Sequence, residues 1–186
     1  LTGDITVSGD WNNNGTFTPG TYTVTFDGST AQSIAGSNSF YNLISDGSVV
    51  TLQSDVSILN NLIVSSNSTF DFNSRTVTIS GATDINGTLT ASTGVFDANG
   101  VFDATGGTID FTDAGRLQCA GTVNSLGTLV NNYGTVEYDG GSQNVLADNY
   151  YNLVIDQSGN KTAQGTINVA NDLTISNSAA LLTSNH

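Results

Sequence analysis

Along most of this chain single apolar residues alternate with Thr, Ser, Asp or Asn, as in Thr23-Val24-Thr25-Phe26 and Thr76-Val77-Thr78-Ile79. A period of two with one apolar face marks a half-buried strand. Clusters of Gly, Asn and Asp between the runs read as turns. No run repeats at 3.6 residues, and Ala, Leu, Glu and Lys are too sparse for helices. The pattern predicts an all-β chain of short strands.

The strands recur in order. Gly9 matches Gly121, Gly15 matches Gly127, Val24 matches Val136, Asp27 matches Asp139 and Gly28 matches Gly140, each at an offset of 112. "FYNLIS" at 40–45 returns as "YYNLVI" at 150–155, an offset of 110. "VSILNNLIVS" at 56–65 returns as "INVANDLTIS" at 167–176, an offset of 111. Three blocks in one order indicate an internal duplication. A shorter period lies within it. Segments starting at 15, 68, 94 and 127 resemble one another, and "YNLISDGSVVTLQS" at 41–54 fills the widest gap. The apolar positions then align at intervals of roughly 26–28 residues.

A unit of that size cannot bury its own apolar face, whereas stacked units share one core. The expected fold is a right-handed parallel β-helix, or β-solenoid, of about six to seven coils, spaced ~4.8 Å apart. Residues 1–186 form one solenoid segment, with a duplicated four-coil block at about 9–112 and an incomplete second copy at 121–186. In this register Phe17, Leu43, Phe70, Phe96 and Leu129 form one inward column, and Val24, Val50 and Val77 another. The repeated hexapeptide is then a corner. Asn42 and Asn152 turn it and bond Asn side chains in the next coil, while Leu43 and Leu153 enter the core. Lys161 falls where Val50 sits in the first copy, which interrupts the regularity of its coil.

Charge narrows the function. Three Lys and Arg face 16 Asp and Glu, a formal net of -13. Nucleic acid and anionic lipid both require basic residues, so neither is an expected partner. No stretch approaches the ~18 apolar residues of a membrane span. Cys119 is alone, which excludes an internal disulfide. It aligns with Val7 and reads as a small buried side chain.

The stretch "DWNNNGTFTPGTYTVTFDGSTAQSIAGSNSFYNLIS" at 10–45 resembles the repeat segments of very large secreted bacterial proteins. The resemblance is carried by Trp11, Asn13, Asn14, Gly15, Phe17, Thr23, Val24, Phe26, Gly28, Gln32, Ile34, Gly36 and residues 40–43. The second copy keeps Gly127, Val136, Gly140, Gln143 and residues 150–153, but has Val123 for Trp11 and Ser125 for Asn13. The resemblance implies export across the cell envelope, often by the type IX system. It also implies an extracellular or cell-surface role as stalk, adhesin or filament.

Several chemistries compete with this reading. Polysaccharide lyases of this shape need a basic residue beside Ca²⁺, yet only the scattered Arg75, Arg116 and Lys161 are present. Hydrolases need clustered carboxylates. Asp97, Asp103, Asp110 and Asp113 lie close in sequence, and Asp97 aligns with Asp71 one 26-residue unit earlier. Those two could share a proton or a hard cation. No catalytic residue, cofactor-binding residue or metal ligand is assigned and no enzyme is expected; Ca²⁺ is the one cofactor left open. Thr23/Thr25 and Thr76/Thr78 raise ice binding. Trp11, Tyr22, Tyr133 and Tyr151 raise sugar binding, although Thr and aromatic residues also suit strands. Sequons stand at Asn14, Asn67, Asn86 and Asn160, and His186 is the last residue.

Neither end of the array reads as a cap. "GDITVSG" at 3–9 matches the interior "GRLQCAG" at 115–121, and "SAALLTSNH" stops where a strand like residues 75–80 should follow. Open ends predict self-association or continuation with more of the same polypeptide.

Overall fold

The computed structural model describes residues 1–130 and 132–183. It is an all-β parallel solenoid of about nine turns. Three faces recur along the axis. Face A stacks Ile5–Val7, Thr23–Phe26, Asn42–Ser45, Leu62–Val64, Thr83–Ile85, Phe102–Asp103 and Val123–Ser125. Face B runs from Trp11–Asn13 through Gln32–Gly36 and Val49–Leu52 up to Thr128–Val130. Face C runs from Asn38–Phe40 through Thr76–Ile79 and Thr135–Tyr138 to Leu173–Ile175. The alternation read from sequence is the alternation observed: in Thr76–Ile79, Val77 and Ile79 are buried while Thr76 and Thr78 face outward.

The coil is shorter than the sequence period. On face A the register runs Ile5, Val24, Leu43, Leu62, Thr83, Phe102, Val123. Each turn therefore takes 19 or 21 residues there, not 26–28, and there are about nine turns rather than six to seven. The cause is that all three faces carry the same in-out alternation. A step of 26–28 residues advances four strands, whereas the coil closes after three. Val24, Val50 and Val77 accordingly lie on faces A, B and C. Each is buried, but its true neighbour came from the other expected column: Leu43 pairs with Val24, Phe70 with Val50 and Phe96 with Val77. Leu129 stacks on Ile109 in face B, and Phe17 lies in a connecting segment.

The duplicated blocks fold alike. Gln32 turns inward and its Nε2 donates to the Val7 and Gly9 carbonyls, while its Oε1 accepts the Gly28 N–H. Gln143 repeats this with the Cys119 and Gly121 carbonyls and the Gly140 N–H. The glycines are required: a Cβ on Gly28 would come within 2.7 Å of Gln32 Cδ and of the Ser8 carbonyl, and one on Gly140 would meet Gln143 Cδ at 2.8 Å. Each Gln knits two coils by satisfying three backbone groups beneath a corner.

The repeated hexapeptides do the same at the next corner. Asn60 Nδ2 donates to Asn42 Oδ1 at 2.9 Å, and Asn171 Nδ2 to Asn152 Oδ1 at 2.8 Å. The expected Asn-to-Asn bonds between coils are present, and Leu43 and Leu153 are fully buried. Yet the two copies occupy different faces. Asn42–Ser45 is on face A and Asn152–Ile155 on face C. Thr135–Tyr138 comes seventeen strands after Thr23–Phe26, which is five turns and two further faces. The second copy is rotated about the axis relative to the first.

Small differences between the copies have local compensations. Phe26 and Phe40 pack edge-on at 6.3 Å, while their counterparts Tyr138 and Tyr150 join hydroxyls at 3.1 Å and bind both the N–H and the carbonyl of Leu146. Burial raises the pKa of both phenols. Lys161 does stand where Val50 does, since Val50 pairs with Gln32 and Lys161 with Gln143. Its coil is nevertheless regular, with Gly159–Ala163 paired on both sides. The side chain is 0% exposed and its Nζ donates to the carbonyls of Gly140, Asp156 and Gln157. The loop before it contains one more residue than in the first copy, and Gln157 and Gly159 adopt φ values of 60° and 120°. The ammonium neutralises the carbonyls that this loop turns inward.

One irregularity interrupts the stack. The sheets of faces A and B stop at Val123–Ser125 and Thr128–Val130. New sheets then begin with Gln143–Val145 and Asn149–Tyr150, continued by Gly159–Ala163 with Ala179–Thr183 and by Asn168–Val169. Among the described residues face C alone runs through, Thr135–Tyr138 pairing with both Arg116–Cys119 and Asn152–Ile155. The register below this break already shifts by one residue between Phe102 and Asp103.

Candidate functional site

The carboxylates singled out by sequence do not converge. Asp71 is on face B between Thr51 and Thr90, and Asp97 is on face C between Thr78 and Gln118. Their 26-residue separation is four strands, so they share neither a proton nor a cation. Asp110 is two coils above Asp71 with Thr90 between them. Asp113 accepts the Ala114 N–H in a turn. The carboxylates that do adjoin are Asp84 and Asp103 on face A. Asp103 accepts the Thr105 hydroxyl and N–H, which hold it below its ordinary pKa. Among the described residues, no three His, Cys, Asp or Glu side chains are grouped to hold a metal ion.

The basic residues are equally dispersed. Arg75 is exposed and Lys161 is sealed in the core, where desolvation lowers its pKa against the pull of Asp156 and Asp139. Arg116 pairs with Glu137 at 2.7 Å, and Gln118 binds the same carboxylate oxygen, so that Glu137 is only 2% exposed. Cys119 is fully buried, and burial with nearby carboxylates raises its thiol pKa, which removes the reactive thiolate.

Asp139 sits beside this cluster with its Oδ1 buried and unpartnered. Desolvation, then Glu137 and Asp97, push its pKa up to about 6. The folded chain thus holds this proton more tightly than the unfolded chain does. The resulting stability is complete below the ordinary 3.8 and is lost as pH rises through about 6. The half-exposed position discounts the effect to on the order of 1 kcal/mol. Asp139→Asn should therefore raise the thermal midpoint at pH 7 by about 2–4 °C, and the gain should vanish near pH 4. Paired melting curves across this range check it; an unchanged difference at all pH values would show that Asp139 is not the responsible group.

The aromatic candidates are scattered too. Trp11 packs at 4.8 Å on Phe17 and donates its Nε1–H to Asn38, so it belongs to the core's first coil. Tyr22 is half-buried. Tyr133 and Tyr151 meet edge-on at 5.3 Å, and Tyr133 is exposed with φ 87°. Thr23/Thr25 and Thr76/Thr78 lie on faces A and C and form no common row. All four sequon asparagines are exposed, and His186 lies outside the described residues.

Two surface features remain, and sequence reading named only the first. The last coil presents its core outward. Leu173 and Ile175 continue the inward columns of Leu153 and Ile155, yet are 49% and 48% exposed, with Leu182 at 42%. The first coil exposes less apolar surface than the last, although Ile5–Val7 and Trp11–Asn13 also end their sheets. Residues 14–22 take the place of its face-C strand, and Phe17 closes against Trp11 and Phe40. Leu1, Ile5 and Val7 are partly buried against the core. The second feature is a groove of about 570 Å³ beside the break in face A. Compared with known protein families, curated proteins and solved structures, the chain matches none.

Proposed function

We propose that the chain is a structural and adhesive β-solenoid segment of an extracellular bacterial surface protein or filament, stacking end to end with further coils. The observation that carries this reading is the last coil, where residues in core columns stand half exposed. One more coil would cover Leu173, Ile175 and Leu182, at roughly 25 cal/mol for each Å² of apolar surface removed from water. Ala179–Thr183 ends its sheet, as Leu173–Ile175 ends face C, so both offer a free edge for further ladder bonds. The covering coil can belong to the same polypeptide or to another copy. The surface placement rests on the sequence resemblance.

Association of this kind runs against charge. A net of -13 repels a second copy at low salt, and salt shortens the reach of that repulsion to about 8 Å at 0.15 M. Sedimentation velocity of the chain at rising ionic strength should show species growing by whole multiples. A compact monomer at high concentration and moderate salt would overturn the reading.

A further inference from the structure

For the groove beside the face-A break, the duplication supplies an internal control. In the first copy Trp11–Asn13 pairs in register with residues 34–36. Asp10 adds a stitch between the same two coils, its Oδ1 accepting both the N–H and the hydroxyl of Ser33. In the second copy Thr122 stands for Asp10, Val123 for Trp11 and Asn144 for Ser33. No ladder joins Val123–Ser125 to Gln143–Val145 among the described residues. The stitch is gone, the two coils part, and the groove opens between them.

Its lining has a distinct chemistry. Thr122 lies on the lower level, Ser142 and Asn144 on the next, and Asn160 and Thr162 on the level above. Among the described residues none of these five side chains makes an intramolecular hydrogen bond. Several outward Asn side chains elsewhere are used internally: Asn42, Asn60, Asn86, Asn99, Asn152 and Asn171 each bond a neighbour. No ionisable residue lines the groove, in a chain that otherwise carries 19 charged side chains. Hydroxyl and amide groups supply both donors and acceptors, without a cation for phosphate or carboxylate and without a carboxylate for a metal.

We propose that this groove binds a neutral glycan, with successive sugar units lying along its two upper levels. A neutral polyol matches the lining in polarity and escapes the repulsion that the acidic surface imposes on uronate or sulfated chains. Asn144 and Thr162 stand on paired coils, ~4.8 Å apart, close to the advance of one sugar ring along an extended chain, so successive units meet the two upper levels while Thr122 faces them across the gap. An inserted peptide strand would use only the two separated edges and leave Asn160 and Thr162 unengaged. The proposal does not depend on end-to-end stacking, because the groove opens on the side of the solenoid.

The test is titration calorimetry of the intact chain with neutral hexose oligosaccharides of three or more units, and with uronate oligosaccharides of equal length. Neutral oligosaccharides should bind and uronates should not. Asn144→Ala with Asn160→Ala, both exposed, should weaken binding by about tenfold or more, the loss of one or two good hydrogen bonds. Ser33→Ala with Thr51→Ala, the matching face of the first copy, should leave it unchanged. Failure of every neutral oligosaccharide to bind overturns the proposal. So does equal binding of uronates, or equal loss in both double variants. Capture of extended peptides that survives Asn144→Ala with Asn160→Ala would assign the gap to strand pairing instead, and would likewise overturn it.

Discussion

Val77→Asp should cost at least about 4 kcal/mol and leave the chain largely unfolded at neutral pH. Val77 is fully buried in face C between Val56 and Phe96. A carboxylate there has no partner in the core, and an unpaired buried charge is among the few changes with so large an effect. Total stability of a domain is about 5–15 kcal/mol, so the loss takes a large share of it. Each coil also contacts only its neighbours, so damage in a central coil breaks the array where it matters most. Thr78→Asp, on the opposite side of the same strand, should shift stability by no more than about 1 kcal/mol. Urea denaturation of the two variants checks the pair. Equal effects would mean that the in-out register of face C is wrong.

Lys161 carries the second large effect. Replacing it with Ala removes three donors from the Gly140, Asp156 and Gln157 carbonyls and also leaves a cavity. Hydrogen bonds to a charged donor contribute about 1.5–3 kcal/mol each at most, and they are not additive. A total loss of about 3–5 kcal/mol is expected. Lys161→Met keeps most of the stem and isolates the ammonium, with an expected loss of about 2 kcal/mol. The corresponding residue of the first copy, Val50, shows that an apolar side chain suits this position when the preceding loop is shorter. Deleting one loop residue together with Lys161→Val should therefore recover stability relative to Lys161→Ala. Thermal melts of the series check it; Lys161→Met as stable as the parent would show that the carbonyls do not need the ammonium.

The legible and illegible parts of this fold separate for a physical reason. In-out alternation is local, so Val24, Val50, Val77 and their outward Thr neighbours could be placed without knowing which strand lay next to which. The recurring Gly, Gln, Asn and Leu positions were legible because they serve backbone geometry, as Gly28 beneath Gln32 and Asn42 beneath Asn60 show. Coil length was not legible. Three faces with one pattern make a step of four strands look like a step of three, and that error carried Asp71 and Asp97 into a stack they do not form. Lys161 stood out as a departure, but its burial followed from carbonyls turned inward by a loop one residue longer. The side groove left no sequence signal except differences between the copies: Thr122 for Asp10, Val123 for Trp11 and Asn144 for Ser33. The inward register of Leu173 and Ile175 was legible in the match of residues 173–176 to residues 62–65.

Amide hydrogen exchange, read strand by strand at low and high protein concentration in moderate salt, tests the end-to-end reading most directly. Stacking in continuous register gives the free edges new main-chain partners. Amides of Leu173–Ile175 and Ala179–Thr183 should then slow by about tenfold or more on concentration. Those of Ile5–Val7 and Trp11–Asn13 should slow with them, while Thr76–Ile79 in the middle of the stack stays constant. Unchanged exchange at both ends, or association that protects a side face instead, would contradict the account.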